Sequence, residues 1–367
     1  MKIVYLTNQL YLHGGIEKML VQKINHWISY YNYEVVLCTA EQRHQNFVYP
    51  VNAKLRHIDL GVNYSRNRSY FHPVNLVKII LHYVALKKLI KKEKPDIIVS
   101  VNNTPEQFFL PFLGKQIPKI KEFHSSGIVY RKPHGLIEKA KHMLFLLLDR
   151  YQAKVILNKY EKKYYPFCDV HVIPNFIEIN KMQEPTIREK TIIAAGRIAP
   201  VKQFDHLIKA WSQIASDFPE WQLKIFGDGD QHLIGQLNQL INELQLSNIQ
   251  LFAATDRLDE EMRKASLYAM TSATECFPMV LLEAQAVGLP IISYDCPNGP
   301  RNIIKSNREG QLIAHNEIGI FAQGLAALLN NQEKREDMGR AAKENSFHFS
   351  KVAIMQQWDD LFKKLIK

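Results

Sequence analysis

The chain predicts two doubly wound parallel sheets, on the strength of three observations. Short apolar runs alternate with longer segments of helical periodicity along the whole sequence, the pattern of strand–helix–strand units. The plan runs twice, once before and once after a polar stretch at residues 178–190. The length, 367 residues, exceeds what one hydrophobic core usually holds.

In the first half, strands are expected at 3–7, 34–39, 97–101, 119–123, 155–157 and 170–173, with helices at 17–30, 75–92 and 135–151. In the second, strands are expected at 191–195, 222–226, 249–252, 267–271 and 291–294, with helices at 203–218, 231–244, 259–264, 280–287 and 318–330. These segments define domains at 1–178 and 183–345. The tail, 350–367, reads as a separate amphipathic helix, because Val352, Met355, Trp358, Phe362 and Leu365 recur at helical spacing.

Composition narrows the classes. The chain is 46% hydrophobic and 23% charged, ordinary for a globular protein. Four cysteines lie far apart with no C-x-x-C pair, which argues for a reducing compartment and against a disulfide framework or a zinc site. The first residues read as a strand and not as a signal peptide. The longest apolar run, at 143–148, is far below the ~20 residues needed to span a bilayer. Net charge is +11, and residues 1–180 carry all of the excess, with 26 Lys and Arg against 13 Asp and Glu. Two readings of that half stand open: a solvated surface, or a face for an anionic membrane or acidic polymer. The lysines from Lys78 to Lys94 crowd a helical stretch that also carries Ile79, Ile80, Leu86 and Leu89, and Arg131, Lys132, Lys139 and Lys141 lie near the 143–148 run.

The most informative stretch is Glu275-Cys276-Phe277-Pro278-Met279-Val280-Leu281-Leu282-Glu283. It sits between an apolar strand and a small-residue helix closed by Gly288 and Pro290. Pro278 suits the first helical position, leaving the Met279 and Val280 amides at the positive helix end, where an anion can bind. Glu275 on the loop and Glu283 just over one turn into the helix add two carboxylates able to hold sugar hydroxyls. Arg197 and Lys202 lie between a strand and the next helix. Lys202 near a positive helix end costs ~0.3–1 kcal/mol unless an anion joins it, and Arg197 can fork onto phosphate oxygens. Gly14 and Gly15, after the first strand, let backbone approach a phosphate closely. His124 ends one strand, and Asn102 and Asn103 end another, where they can meet ligand hydroxyls.

The stretch from Glu275 to Pro290 closely resembles the E-x7-E signature of retaining glycosyltransferases of the GT-B fold, sequence family four, with Cys276 where the family usually has Gly. Arg197 and Lys202 match the family's R-x-x-x-x-K element, Gly14-Gly15 its glycine loop, and His124 a histidine near the donor sugar. Residues 295–304 resemble the D-C-P-x-G-P-x-x-I-I stretch of bacterial cell-surface polysaccharide enzymes. The resemblance implies two Rossmann-like domains facing a cleft, with the final helix returning to the first. It implies that Glu283 binds the nucleotide ribose, and that Glu275 with Phe277, Pro278, Met279 and Val280 holds the donor sugar and diphosphate. Arg197 and Lys202 would clamp the diphosphate.

The implied activity is metal-independent transfer of a hexose, with retention, from a nucleotide diphosphate sugar such as a UDP-sugar. The acceptor would be a growing, lipid-linked bacterial surface glycan at the cytoplasmic membrane face, with no cofactor and no nucleic acid. Gly227-Asp228-Gly229-Asp230 contains a nominal D-x-D, read here as a turn and not as the metal ligand of the other glycosyltransferase fold. The alternative is a non-catalytic basic protein for nucleic acid or an anionic polymer, with Tyr160, Tyr164 and Tyr165 among lysines as stacking groups.

Overall fold

In a computed structural model of the chain, residues 1–12, 14–101, 103–127, 142–178 and 188–367 are described. The chain forms two compact units, 1–174 with 354–367, and 175–353. The division falls at Pro174, ahead of the boundary expected after 178, and Ile177 pairs with Ser350 inside the second unit. That unit also runs on to Ala353, past the expected end at 345.

The first unit holds seven parallel strands: β1 (Lys2–Thr7), β2 (Glu34–Thr39), β3 (Arg56–Asp59), β4 (Ile97–Ser100), β5 (Lys119–Glu122), β6 (Ala153–Ile156) and β7 (Val170–Val172). Their order is β3-β2-β1-β4-β5-β6-β7. The order reverses at β1/β4, the place where doubly wound sheets open a crevice at their carboxyl ends. β1 is central and wholly apolar inward, with Ile3, Val4 and Tyr5 fully buried, as a strand covered on both faces must be. Helices Gly15–Ser29 and Pro73–Glu93 follow β1 and β3.

Helix Lys351–Ile366 closes this unit, with Trp358 and Phe362 buried and the Phe362 ring 5.0 Å from that of Trp27. Its buried stripe is Ile354, Met355, Trp358, Leu361 and Phe362, whereas Val352 faces solvent. The helix therefore presents a slightly different face from the one its apolar spacing suggested. The helix expected at 135–151 lies in part outside the described residues, as do Arg131, Lys132, Lys139, Lys141 and most of the 178–190 stretch.

The second unit repeats the plan with six parallel strands, β8 (Thr191–Ala195), β9 (Gln222–Phe226), β10 (Ile249–Phe252), β11 (Leu267–Met270), β12 (Ile291–Asp295) and β13 (Gln311–Ala314). Their order is β10-β9-β8-β11-β12-β13, so the switch point lies at β8/β11. The core between sheet and helices is built on Trp211, Leu207, Leu223, Ile225, Leu325 and Phe321. The helix expected at 203–218 is shorter, Phe204–Ser212, and a separate 3-10 turn follows at Ala215–Asp217.

Candidate functional site

The loops leaving β8 and β11, the two strands at the switch point, carry most of the predicted site. From β8 the chain passes Gly196 and Arg197 to a 3-10 turn, Pro200–Lys202. From β11 it passes through Ser272 and Glu275 to helix Met279–Ala286. The loops are stitched by backbone. Ala273 donates its N–H to the Val201 carbonyl at 2.8 Å, and the Thr271 hydroxyl donates to the Gln203 carbonyl at 2.9 Å. Gln203 takes φ 47°, the left-handed turn that starts helix Phe204–Ser212. Below them the buried Tyr268 hydroxyl ties β11 to β8, donating to the Ala195 carbonyl at 3.1 Å.

At the centre Lys202 Nζ stands 2.6 Å from Glu275 Oε1. The Ser272 hydroxyl donates to the same oxygen at 2.8 Å. From the sequence alone, Lys202 has an unfavourable place that only a bound anion relieves. The structure corrects it: Glu275 already supplies the opposite charge. A third loop, after β12, closes on this pair. A Cβ on Gly299 would run into the Cβ of Glu275, and Arg301 Nε donates to both Asp295 oxygens at 2.6 Å. Burial, followed by the neighbouring Glu275 charge, pushes the Cys296 thiol up to about 12.

Pro278 is the N-cap residue of its helix and not its first turn, with φ −72° and ψ 100°. Met279 and Val280 are thus the first helical residues, and their amides fall among those with no partner inside a helix. Both are half-buried, as is Glu283, whereas Phe277 is buried with its ring 5.8 Å from that of Phe349. Arg197 is exposed.

Asp228 and Asp230 hold backbone. Asp228 accepts from the Ala254 amide at 2.9 Å, and Asp230 caps helix Gln231–Glu243 through the His232 amide at 2.8 Å. Their glycines have packing reasons too, since a Cβ on Gly227 or Gly229 would strike the carbonyl oxygens of Gly196 or Ile198. No group of three or more His, Cys, Asp and Glu placed to hold a metal occurs among the described residues.

In the first unit, Gly14 caps and Gly15 opens the helix after β1. Asn103, exposed, follows β4, and Asn102 lies outside the described residues. Gly14, Gly15 and Asn103 flank that unit's own switch point. His124 follows β5, its Nε2 2.8 Å from Glu122 Oε1. Glu122 is fully buried, pairs with Lys23 and accepts from the Tyr5 hydroxyl at 3.2 Å. Burial alone would raise the Glu122 carboxyl; the Lys23 ammonium and His124 outweigh it and hold it down at about 2. Lys23 in turn lies 4.4 Å over the Trp358 ring.

Glu161 pins the loop beyond His124, accepting from the Ser126 hydroxyl at 2.7 Å and the Gly127 amide at 2.6 Å. Sequence reasoning missed Lys23, Glu122 and Glu161. Only Lys119, Lys121 and Glu122, three charged residues within the short buried strand β5, hint at a charged interior. Tyr165, weighed as a stacking group, is buried and donates its hydroxyl to the Ser125 carbonyl at 3.1 Å.

Comparison with known proteins places this geometry. Two Rossmann-like domains of parallel strands define the GT-B class. Residues 177–345, most of the second unit, match the family Glycosyl transferases group 1. The chain is 24% identical to the amylovoran biosynthesis glycosyltransferase AmsD of Erwinia amylovora, over 98% of this chain and 99% of that one. It is 36% identical, over 53% of its length, to an exopolysaccharide phosphotransferase of Streptomyces coelicolor, and spans only 21% of that protein. Among solved structures, Anabaena HepE in complex with UDP-glucose is similar with a TM-score of 0.76 and 18% identity, covering 100% of both chains.

Proposed function

We propose that the protein transfers a hexose from a nucleotide diphosphate sugar, a UDP-sugar, to a hydroxyl of a growing, lipid-linked bacterial surface glycan, with retention and without a metal. The observation that carries the reading is the Lys202–Glu275 pair at the second unit's switch point, 2.6 Å apart beside the start of helix Met279–Ala286. An ammonium, the Arg197 guanidinium and free helix-end amides favour a diphosphate. An arriving diphosphate competes with Glu275 for Lys202, and the released carboxylate can then accept from sugar hydroxyls. Glu283, on the same helix, is assigned to the ribose.

As the anomeric C–O bond breaks, charge grows on the diphosphate, and Lys202, Arg197 and the Met279 and Val280 amides meet it. The acceptor hydroxyl attacks on the same face and gives its proton to the departing phosphate. In the first unit His124 is assigned to substrate contact. Its Nε2 lies against the Glu122 carboxylate, which fixes the orientation of the ring. A relative named for amylovoran biosynthesis and a structural neighbour in complex with UDP-glucose support the substrate class. Among the described residues no helix is long and apolar enough to cross a membrane, and we assign the protein to a peripheral place on the inner membrane face, where a lipid-linked acceptor is presented.

The test is a panel of nucleotide sugars read by thermal stabilisation and by UDP release. A matching donor at 100 times its Kd adds ~2.7 kcal/mol of stability. A panel in which no nucleotide sugar stabilises the protein or yields UDP contradicts the reading.

A further inference from the structure

Helix Pro73–Glu93 wears its apolar side outward. Val77, Ile80 and Leu81 are 58%, 64% and 60% exposed, and Val74 and Val84 are exposed beside them. Their spacing, 74-77-80/81-84, is one stripe of the helix. The same stripe continues as Lys87, Lys88, Lys91 and Lys92, all exposed.

The inward side of the first half is polar. Asn75 is fully buried, donating to the Ser65 and Ser69 carbonyls at 3.1 and 3.0 Å and accepting from the Ser65 amide at 2.9 Å. His82 Nδ1 lies 3.0 Å from the buried Tyr64 hydroxyl. Further along, Leu86, Leu89 and Ile90 enter the core. The four apolar residues that the sequence places among these lysines do not share one environment. Leu86 and Leu89 are core, Ile79 is half-buried and Ile80 is outside.

The lysines have an internal reason to be where they are, since cations suit a helix C-terminus. The outward valines, isoleucine and leucine have none. A contiguous apolar patch on a folded surface marks a contact with something apolar. What lies next to it is a cluster of cations, and residues 1–180 are basic as a whole, with 26 Lys and Arg against 13 Asp and Glu. Apolar residues leading into lysines along one helix face complement an anionic bilayer surface: the apolar turns enter the acyl boundary and the ammonium groups meet lipid phosphates.

We infer that the outer face of helix Pro73–Glu93 is the surface by which this protein docks on an anionic membrane. The inference rests on the peripheral-membrane reading above and names the element responsible.

The experiment is flotation of the full chain with vesicles of phosphatidylcholine, with and without phosphatidylglycerol, at low and high salt. Wild type floats with the anionic vesicles at low salt and not with the neutral ones. Ile80→Asp with Leu81→Asp lowers that binding by at least about tenfold, the loss of two buried aliphatic side chains. Each of Lys87→Gln, Lys88→Gln, Lys91→Gln and Lys92→Gln lowers it about fivefold, and together they abolish its salt dependence. Lys334→Gln, a charge change on the second unit, leaves it unaltered.

Thermal melts equal to wild type show that the variants fold. UDP release from donor hydrolysis in solution, without vesicles, is measured on the same samples. Its absence with normal flotation counts against the proposed activity and not the docking surface. Wild type that ignores anionic vesicles, or an Ile80→Asp/Leu81→Asp protein that binds them as wild type does, overturns the inference. So does a wild-type dimer that the same two substitutions dissociate, which would assign the face to a second copy of the chain.

Discussion

Lys202–Glu275 and Lys23–Glu122 are the same chemical pair in two different settings. In the second unit the side chains are 20% and 15% exposed, on loops leaving the two strands of a switch point. In the first they are 2% and 0% exposed, between a helix and the end of β5. A pair partly open to solvent costs less to form and to exchange than a sealed one, so a ligand's phosphate can take over the lysine. A pair sealed from water depends on each partner, because removing one leaves the other as a bare buried charge. On the proposed function the Lys202–Glu275 pair yields to a ligand, whereas the Lys23–Glu122 pair holds the first unit together and orients His124.

The largest effect comes from breaking the sealed pair. Glu122→Ala should destabilise the first unit by about 3–5 kcal/mol, measured by denaturant unfolding. Lys23→Met with Glu122→Leu should recover much of that loss, since no unpaired charge remains. The pH dependence has a definite sign. The folded Glu122 carboxyl is held at about 2 by Lys23 and His124 against the opposing effect of burial, below the unfolded value of about 4.3. Its contribution is therefore full above about pH 4.3 and lost as pH falls toward about 2. Wild-type stability should fall through that window, and the Glu122→Ala curve should be flatter there.

The open pair should answer in activity and not in stability. Lys202→Ala or Arg197→Ala should cut turnover by roughly 10²–10³-fold, the effect of losing one preorganised donor, with an unfolding midpoint close to wild type. Near wild-type turnover at saturating donor would remove the diphosphate role. A smaller effect, a null one, is expected from chelation. EDTA should leave turnover unchanged, because Asp228 and Asp230 are engaged with the Ala254 and His232 amides. Activity lost in EDTA and restored by Mn²⁺ would return those carboxylates to the site.

The comparison also shows what sequence patterning can and cannot carry. Lys202, Arg197, Glu275 and Glu283 are legible because each lies on a loop or helix start fixed by local signals: an apolar strand before it, glycine or proline around it. Most strand segments are legible for the same reason, although β3 and β13 are not, being short edge strands with polar residues in them. Lys23–Glu122 is not legible, since its partners are 99 residues apart and buried charge leaves no periodic trace. The outward apolar face of helix Pro73–Glu93 is hidden by the opposite effect. Apolar spacing says which residues share a face and not whether that face meets core or solvent, and only the buried Asn75 and His82 decide it.

The central claim is that the switch point of the second unit takes the nucleoside diphosphate of the donor. Calorimetric titration of UDP into wild type and into Glu283→Ala tests it most directly. Glu283 stands on the helix whose first amides face the proposed diphosphate, so the account predicts UDP binding to wild type and a loss of about tenfold in Glu283→Ala, the worth of a hydrogen bond to a charged group. Absence of UDP binding to wild type, or equal affinity in the two proteins, would contradict it.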